Sequence, residues 1–185
     1  MERIAPMMVI VCITAIGCSA AEDRQWPAEA DPATNIALML APENQVIKDG
    51  EYPVFIATLV NRGKNEVMLV EPGDGSECGW RTPLVEWSRQ ARYRGGRCGN
   101  INELRMDEVF VLRPGESRVL KEWIGRPYLS GPGKYPVSMS YKNQPDREWM
   151  GLPLGKHDSK AIERIRHSTA VSITSNTVVV VVERK

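Results

Sequence analysis

The sequence KYPVSMSY, residues 134–141, contains the clearest two-residue period of the chain. Its larger side chains are Tyr135, Val137, Met139 and Tyr141, and they alternate strictly with proline and serine. Because successive side chains of a β-strand point to opposite faces of a sheet, the pattern predicts a strand with one buried face. A Gly-Pro-Gly turn signal at residues 131–133 marks where this strand begins.

Apolar segments separated by turn signals lie on both sides of this strand. The segments predicted as strands are residues 36–40, 46–47, 53–61, 66–70, 83–87, 109–112, 119–123 and 178–182. Thirteen prolines and fifteen glycines are spread along the chain, as in proteins with many turns between short elements. The sequence therefore predicts an all-β domain of seven to nine strands.

Three segments carry more specific predictions. In the segment 53–61, the apolar positions expected to form the strand are Val54, Ile56, Leu59 and Val60. The turn signal at residues 62–65 predicts that this strand forms a hairpin with the segment 66–70. The five consecutive valines at residues 178–182 predict a strand covered on both faces.

A short helix is predicted inside the long segment 143–172, where the strand pattern is interrupted. Asp158 is a residue type that caps helices, and apolar side chains follow it at helical spacing. The predicted helix carries Ala161, Ile162 and Ile165 on one side and Arg164 and Arg166 on the other. It would lie in a late loop of the β domain.

The order of strands and turns in the second half of the chain resembles a known family. A strand, the turn LRPGES at residues 112–117, another strand and residues 131–141 are similar to the later strands of bacterial immunoglobulin-like or fibronectin III-like extracellular modules. The resemblance covers roughly residues 36–182 and implies an antiparallel β-sandwich. It also implies that the hydroxyl of Tyr135 bonds back to a nearby turn.

The chain departs from this family in the length of its late segment and in lacking a core Cys-Trp-Cys arrangement. Many unrelated activities share this sandwich. The resemblance therefore implies a fold and no single function.

Residues 1–21 have the pattern of an export signal. A charged start, Met1-Glu2-Arg3, precedes a mainly apolar run from residue 4 to residue 16. This run is shorter than the roughly 20 apolar residues that span a bilayer, and the small residues after it suit a signal peptidase. Export is therefore expected, followed by a tether at residues 22–35 and one domain at residues 36–185.

Two cleavage sites remain open. Ser19 and Ala21 permit ordinary cleavage before Glu22. Alternatively, the segment AIGC at residues 15–18 resembles the lipobox of bacterial lipoproteins, which implies that Cys18 carries lipid. The chain departs from that family at Ala15, where leucine is usual. Contact with a membrane is expected only through such an anchor.

Charge and size exclude some partners. The 24 basic and 23 acidic residues nearly cancel, so the chain has no global field that would attract nucleic acid. About 165 residues remain after export, which is the size of one domain. A monomer is expected.

Two cysteines, Cys78 and Cys98, remain once Cys12 and Cys18 are assigned to the export segment. An even number of cysteines in an oxidising compartment predicts a disulfide bond, and the glycine after each gives the backbone freedom to form it. Free thiols are the alternative. A metal site is not expected, because no further cysteine or histidine lies nearby in sequence.

The segment between these cysteines is rich in arginine and aromatic residues. The residues predicted to bind a ligand are Trp80, Arg81, Arg89, Arg92, Tyr93 and Arg94, with Arg97 and Trp87 nearby. Arginine forks bind carboxylate, sulfate or phosphate, and aromatic faces stack on sugars or cations. The alternative is a solvated face on which these arginines pair with the acids Glu71, Asp74 and Glu77. Trp87 itself is expected to pack in the core.

Catalytic signals are weak. His157 and His167 flank the predicted helix at a spacing that matches no metal-binding motif, and no nucleophile can be assigned to the His157–Asp158 pair. No cofactor is expected and the chain is predicted not to be an enzyme. The expected function is an exported cell-envelope module that recognises a protein or carbohydrate through loops. A purely structural envelope module and a loop-presenting protease inhibitor are the alternatives.

Overall fold

The computed structural model describes residues 30–31, 33–73, 75–88, 105–120, 127–146 and 159–185. Its strands are β1 (Ile36–Pro42), β2 (Val46–Lys48), β3 (Phe55–Asn61), β4 (Val67–Val70), β5 (Leu84–Trp87), β6 (Val109–Leu112), β7 (Ser117–Val119), β8 (Gly133–Val137), β9 (Met139–Asn143), β10 (Val171–Thr174) and β11 (Val178–Glu183). A 3-10 turn spans Met106–Glu108 and one helix, α1, spans Ser159–Arg166. The described part of the chain is therefore an all-β sandwich with one short helix, as predicted.

The strands form four small sheets. Their orders are β1-β3-β7, β10-β9-β5, β2-β11-β8 and β4-β6. All neighbours pair antiparallel except β2 and β11, which are parallel. Buried side chains from all four sheets form one apolar core, with Leu38, Leu59, Leu69 and Tyr141 among the fully buried members. The described residues contain eleven strands, two more than the upper predicted number.

One additional strand arises because residues 134–141 do not form a single strand. The predicted alternation is present, since Val137, Met139 and Tyr141 are fully buried. However, the chain leaves one sheet at Ser138: β8 pairs with β11, whereas β9 pairs with β5 and β10. At this point the backbone N–H of Ser138 donates to the hydroxyl of Ser88 at 3.2 Å. The other additional strand, β10, lies at the end of the long segment in which only a helix was predicted.

The predicted hairpin between β3 and β4 is wrong. These strands belong to different sheets, so the turn at residues 62–65 carries the chain from one sheet to the other. The buried side chain of Asn61 explains the difference. Its amide donates to the carbonyl oxygens of Asn65 and Leu112, each at 2.8 Å. The side chain thereby joins the end of β3 to β6, the partner strand of β4.

Strand β3 is present, but it begins at Phe55, and most of the apolar positions named for it are not buried. Phe55, Ala57 and Leu59 are buried, whereas Val54 and Ile56 are 48% and 42% exposed. Phe55 packs against Trp87, with ring centroids 5.0 Å apart. The aromatic ring occupies the core, and the period of two then directs Ile56 outward.

The valine strand β11 is not covered on both faces. Val180 and Val182 are buried, but Val179 is 50% exposed. Strand β4, by contrast, is buried on both faces. Its residues Val67 and Leu69 face the main core, and Val70 packs into a second cluster.

That second cluster contains helix α1. Its members are Val70, Val109, Ala161 and Ile165, with Met68 and Ile162 at its margin. Ala161 and Ile165 are fully buried and Arg166 is exposed, which confirms the predicted helix and its apolar side. Asp158, the predicted capping residue, lies outside the described residues.

Tyr135 makes the contact with a nearby turn that was predicted for it. Its hydroxyl oxygen lies 2.5 Å from the carbonyl oxygen of Ser130 and 2.8 Å from that of Gly131. Gly131 has a φ of 80°, a conformation that glycine adopts without steric cost. The tyrosine thus fixes the turn that leads into β8.

Candidate functional site

A buried ion pair lies at the start of the arginine-rich segment. The guanidinium Nη2 of Arg81 is 2.8 Å from Oε2 of Glu108, and its Nη1 is 3.4 Å from Oε1. The side chain of Arg81 is only 1% exposed. We expected Arg81 on an accessible binding surface, but the structure buries it against a carboxylate. Burial is feasible because the two charges are paired and hydrogen-bonded.

The turn before Arg81 leaves space for its side chain. A Cβ atom built on Gly73 would lie 2.4 Å from Nη1 of Arg81, so the guanidinium packs directly on the glycine backbone. The hydroxyl of Ser76 accepts from the N–H of Gly73 at 3.0 Å, and the carbonyl oxygen of Ser76 accepts from the N–H of Val85 at 3.2 Å. These bonds tie the turn to β5 and fix the path of the chain around Arg81.

An uncharged network adjoins this ion pair. The buried side chain of Asn143 accepts a hydrogen bond from the Thr82 hydroxyl at 3.0 Å. Its amide donates to the Ser168 hydroxyl and to the carbonyl oxygen of Thr169, both at 2.8 Å. These contacts join the residues before β5 to the end of β9 and to the residues after α1. The Thr82 and Ser168 hydroxyls here bond to amide groups, an arrangement that stabilises a fold rather than activating a nucleophile.

Of the acids predicted to pair with the arginine-rich segment, Glu71 has a described partner outside that segment, and Glu77 is partly buried in the turn at residues 75–79. Glu71 accepts a hydrogen bond from Nε of Arg118 at 2.9 Å, and the Arg118 guanidinium lies 4.1 Å from the centroid of the Phe110 ring. Glu86, inside the segment, pairs with Lys142 of the neighbouring strand. Asp74 lies outside the described residues. Among the described residues, Glu71 and Glu86 thus each have a partner outside the arginine-rich segment.

Most of the predicted ligand-binding residues lie outside the described residues, namely Arg89, Arg92, Tyr93 and Arg94, and so does Arg97. Trp80 is partly buried in the turn before Arg81. Trp87 packs against the main core, as predicted. The binding surface therefore stays a prediction, with Arg81 removed from its accessible part.

Both ends of the segment 89–104 are described and bonded. The N–H of Ser88 donates to the carbonyl oxygen of Ser138 at 2.9 Å. The N–H of Arg105 donates to Oε2 of Glu108 at 3.2 Å. The sandwich therefore anchors the chain where the segment leaves it and where it returns.

The predicted bridge and lipid site stay predictions. Cys78 is partly buried in the turn at residues 75–79. Cys98 and Cys18 lie outside the described residues.

The histidines do not form a site in the described residues. His167 is exposed, and its Nδ1 lies 2.8 Å from the carbonyl oxygen of Glu163 one helical turn earlier. His157 is outside the described ranges. Within those ranges no group of three metal-ligating side chains comes together, and no helix has the length and apolar character needed to cross a bilayer.

Sequence reasoning missed the residues that organise this region. Glu108, Gly73 and Asn143 are distant in sequence from one another and belong to no motif. No local pattern identifies Glu108, because its partner Arg81 lies 27 residues earlier in the chain. Comparison with known proteins finds no family model that matches the chain, no similar curated protein and no similar solved structure.

Proposed function

We propose that the chain is an exported cell-envelope module that binds a protein or carbohydrate without chemical turnover. The proposed contact region is the segment 89–104, with Trp80 at its margin. The observation that carries the proposal is the anchoring of both ends of this segment, at Ser88 and at Arg105. Binding residues are commonly presented on loops whose ends are held by a rigid scaffold.

The chemistry of the segment favours an acidic partner. Arg89, Arg92 and Arg94 supply guanidinium groups within six residues, and Tyr93 lies between two of them. Guanidinium forks bind carboxylate, sulfate or phosphate groups bidentately. Since the chain is almost neutral overall, recognition would depend on this local cluster. An acidic glycan or an acidic protein surface fits this cluster.

The binding test replaces Arg89, Arg92 and Arg94 together with alanine. The probe is an array of uronate-, sulfate- and phosphate-bearing glycans, with acidic synthetic peptides as a second set. We expect the triple variant to lose at least about tenfold in affinity, as expected for two or more charge-assisted contacts. A matched control replaces Arg113, Arg166 and Arg184 with alanine. These arginines are exposed and lie outside the segment 89–104, and their replacement removes the same amount of positive charge.

Two outcomes would reject this surface. One is equal binding by the triple variant and the wild type. The other is an equal loss in the control variant, which would indicate a general charge effect. The unfolding temperature of each variant, measured in parallel, separates lost contacts from lost folding.

The proposed export is tested separately from ligand binding. Mass spectrometry of the mature protein from its native host would reveal its first residue. A lipidated start at Cys18 or an unmodified start at Glu22 would support the proposal, whereas an intact Met1 in the mature protein would overturn it. Digestion of the same sample without reducing agent tests the Cys78–Cys98 bridge, because bridged peptides stay linked until reduction.

A further inference from the structure

The outer face of the sheet β1-β3-β7 carries no charged side chain within these described strands. Strand pairing places Thr58 opposite Met39 of β1 and opposite Val119 of β7, and all three side chains point away from the core. The other outward positions that are exposed or half-buried are Ala41, Ile56, Val60 and Ser117. Because the solvent face of an antiparallel sheet is ordinarily polar, this composition is unusual.

The outer faces of two other sheets in the described part of the chain are charged. On the sheet β10-β9-β5, Glu86 and Lys142 form an ion pair between neighbouring strands. On the sheet β2-β11-β8, Lys48 and Glu183 occupy paired positions and lie 2.6 Å apart. The uncharged outer face is therefore a property of β1-β3-β7 and not of the whole sandwich.

Exposed apolar side chains are concentrated on the same side of the molecule. Ile56 and Val119 are about half exposed, and so are Val54 and Tyr52, which continue the outward alternation before β3. These four are half of the eight large apolar side chains that the described residues expose. The ring of Tyr52 also packs against Tyr128, with centroids 5.7 Å apart. Such a concentration of exposed apolar surface marks an interaction surface.

We propose that this face packs against the same face of a second copy of the chain and forms a two-fold dimer. An uncharged face offers no counter-charge to an acidic or basic partner. Against its own copy it brings no like charges together, which an interface between identical surfaces requires. The chain is also almost neutral overall, so two copies do not repel each other. The dimer would replace the monomer that chain size suggests, and it does not depend on ligand binding by the segment 89–104.

The size of the face sets the strength of this dimer. A three-stranded face with strands of up to seven residues measures roughly 20 Å by 15 Å. This is less than the about 800 Å² per partner that is buried in an interface of standard size. We therefore expect a weak dimer with a dissociation constant in the micromolar to millimolar range.

Sedimentation equilibrium of the mature protein, between about 1 μM and 1 mM, measures this dissociation constant. The main variant is Ile56→Lys/Val119→Lys, which brings four like charges together in the dimer. We expect its dissociation constant to rise at least about tenfold. The matched control, Val46→Lys/Val179→Lys, adds the same charge at equally exposed valines on the outer face of β2-β11-β8. It should leave the dissociation constant unchanged.

The unfolding temperature of each variant shows whether it still folds. If the lysine variant does not, Ile56→Thr/Val119→Thr removes apolar surface, keeps β-branched side chains and should also weaken the dimer. A second measurement locates the interface directly. In a mixture of ¹³C-labelled and unlabelled copies, nuclear Overhauser effects between copies should involve the methyl groups of Ile56 and Val119.

A wild-type protein that stays monomeric up to about 1 mM would overturn the proposal. So would unchanged dimerisation of the lysine variant, or of the threonine variant when that replaces it, and so would equal weakening in the control. Contacts between copies that avoid this face would also overturn it, as would contacts of these methyl groups only with another segment of the same chain. None of these results depends on a ligand, so failure of the ligand-binding proposal remains a separate outcome.

Discussion

The hydroxyl oxygen of Tyr141 lies 2.7 Å from the carbonyl oxygen of Val70 and 3.3 Å from its backbone nitrogen. Both residues are fully buried, and their strands, β9 and β4, belong to different sheets. The hydroxyl donates to the oxygen and accepts from the N–H. Val70 also packs against helix α1, so this contact connects the main core to the second cluster.

Replacing Tyr141 with phenylalanine should therefore destabilise the fold. The ring would keep its apolar contacts, but the buried carbonyl of Val70 would lose its hydroxyl donor. We expect a loss of about 1–3 kcal/mol in the free energy of unfolding, the usual cost of a buried polar group without a partner. Urea denaturation measures this loss. Tyr52→Phe, at a side chain that is 50% exposed, is the control and should change stability by less than about 0.5 kcal/mol.

Tyr141 also predicts how stability depends on alkaline pH. Burial raises the pKa of Tyr141 well above its ordinary value of 10.0, and the hydrogen bond to Val70 only partly opposes this. The unfolded chain therefore releases the phenolic proton at a lower pH than the folded chain. The stabilising contribution is complete below about pH 10 and decreases as the pH rises above that value.

The measurement compares wild type with Tyr141→Phe across this pH range. The difference between their unfolding free energies should be constant below pH 10 and then fall by up to about 1.4 kcal/mol per pH unit. The unfolding curve of the Tyr141→Phe variant serves as the control, because every other group still titrates in it. If the difference in unfolding free energy stayed constant up to pH 11, the pKa of Tyr141 would not be raised by folding.

Gly73 provides a separate test of the packing around Arg81. In Gly73→Ala the new methyl group would meet the guanidinium at 2.4 Å, so the ion pair with Glu108 must shift. We expect a loss of about 1–3 kcal/mol, as for other overpacked interior sites. In an Arg81→Met background the flexible side chain can move aside, and the same substitution should cost clearly less. Equal costs in the two backgrounds would mean that the guanidinium does not determine the need for glycine.

Local periods predicted the elements of this fold well. The alternation at residues 134–141 and the apolar side of α1 depend on each segment's own pattern, and both are present. Which strands pair, and which faces are covered, is less evident from the local pattern. Val54 and Ile56 are as apolar as the residues that β3 buries, and the valines of β11 look two-sided in sequence. Only the tertiary packing decides that α1 covers β4 and that Val179 stays exposed.

The candidate site was less predictable than the fold. Composition drew attention to the arginines, but the partner of Arg81 lies 27 residues later in the chain. A charge pattern indicates which residues need partners without identifying those partners. Arg81 is buried because the turn at Gly73 leaves space for its guanidinium, and the local sequence pattern does not predict the course of that turn.

Asn61 is another residue whose partners the local sequence pattern does not identify. Its turn matched a hairpin pattern, yet its side chain joins two different sheets. The amide donates to Leu112 and Asn65, and its oxygen accepts from the N–H of Gly63 at 2.9 Å. Asn61→Ala would leave three backbone groups without these partners. We expect a loss of about 2–4 kcal/mol, since each buried unpaired group costs about 1–3 kcal/mol and the two groups in the turn are partly solvated.

The control is Asn44→Ala, at an exposed asparagine between β1 and β2, which should change stability by less than about 0.5 kcal/mol. Hydrogen exchange gives a second, local measurement. In Asn61→Ala the N–H of Gly63 should exchange faster, because it has lost its acceptor. The N–H of Val85 in β5, which donates to Ser76 in a distant turn, should change no more than global stability requires. If Asn61→Ala is as mild as Asn44→Ala, the amide does not hold the two sheets together, and the crossing from β3 to β4 must depend on the apolar side chains alone.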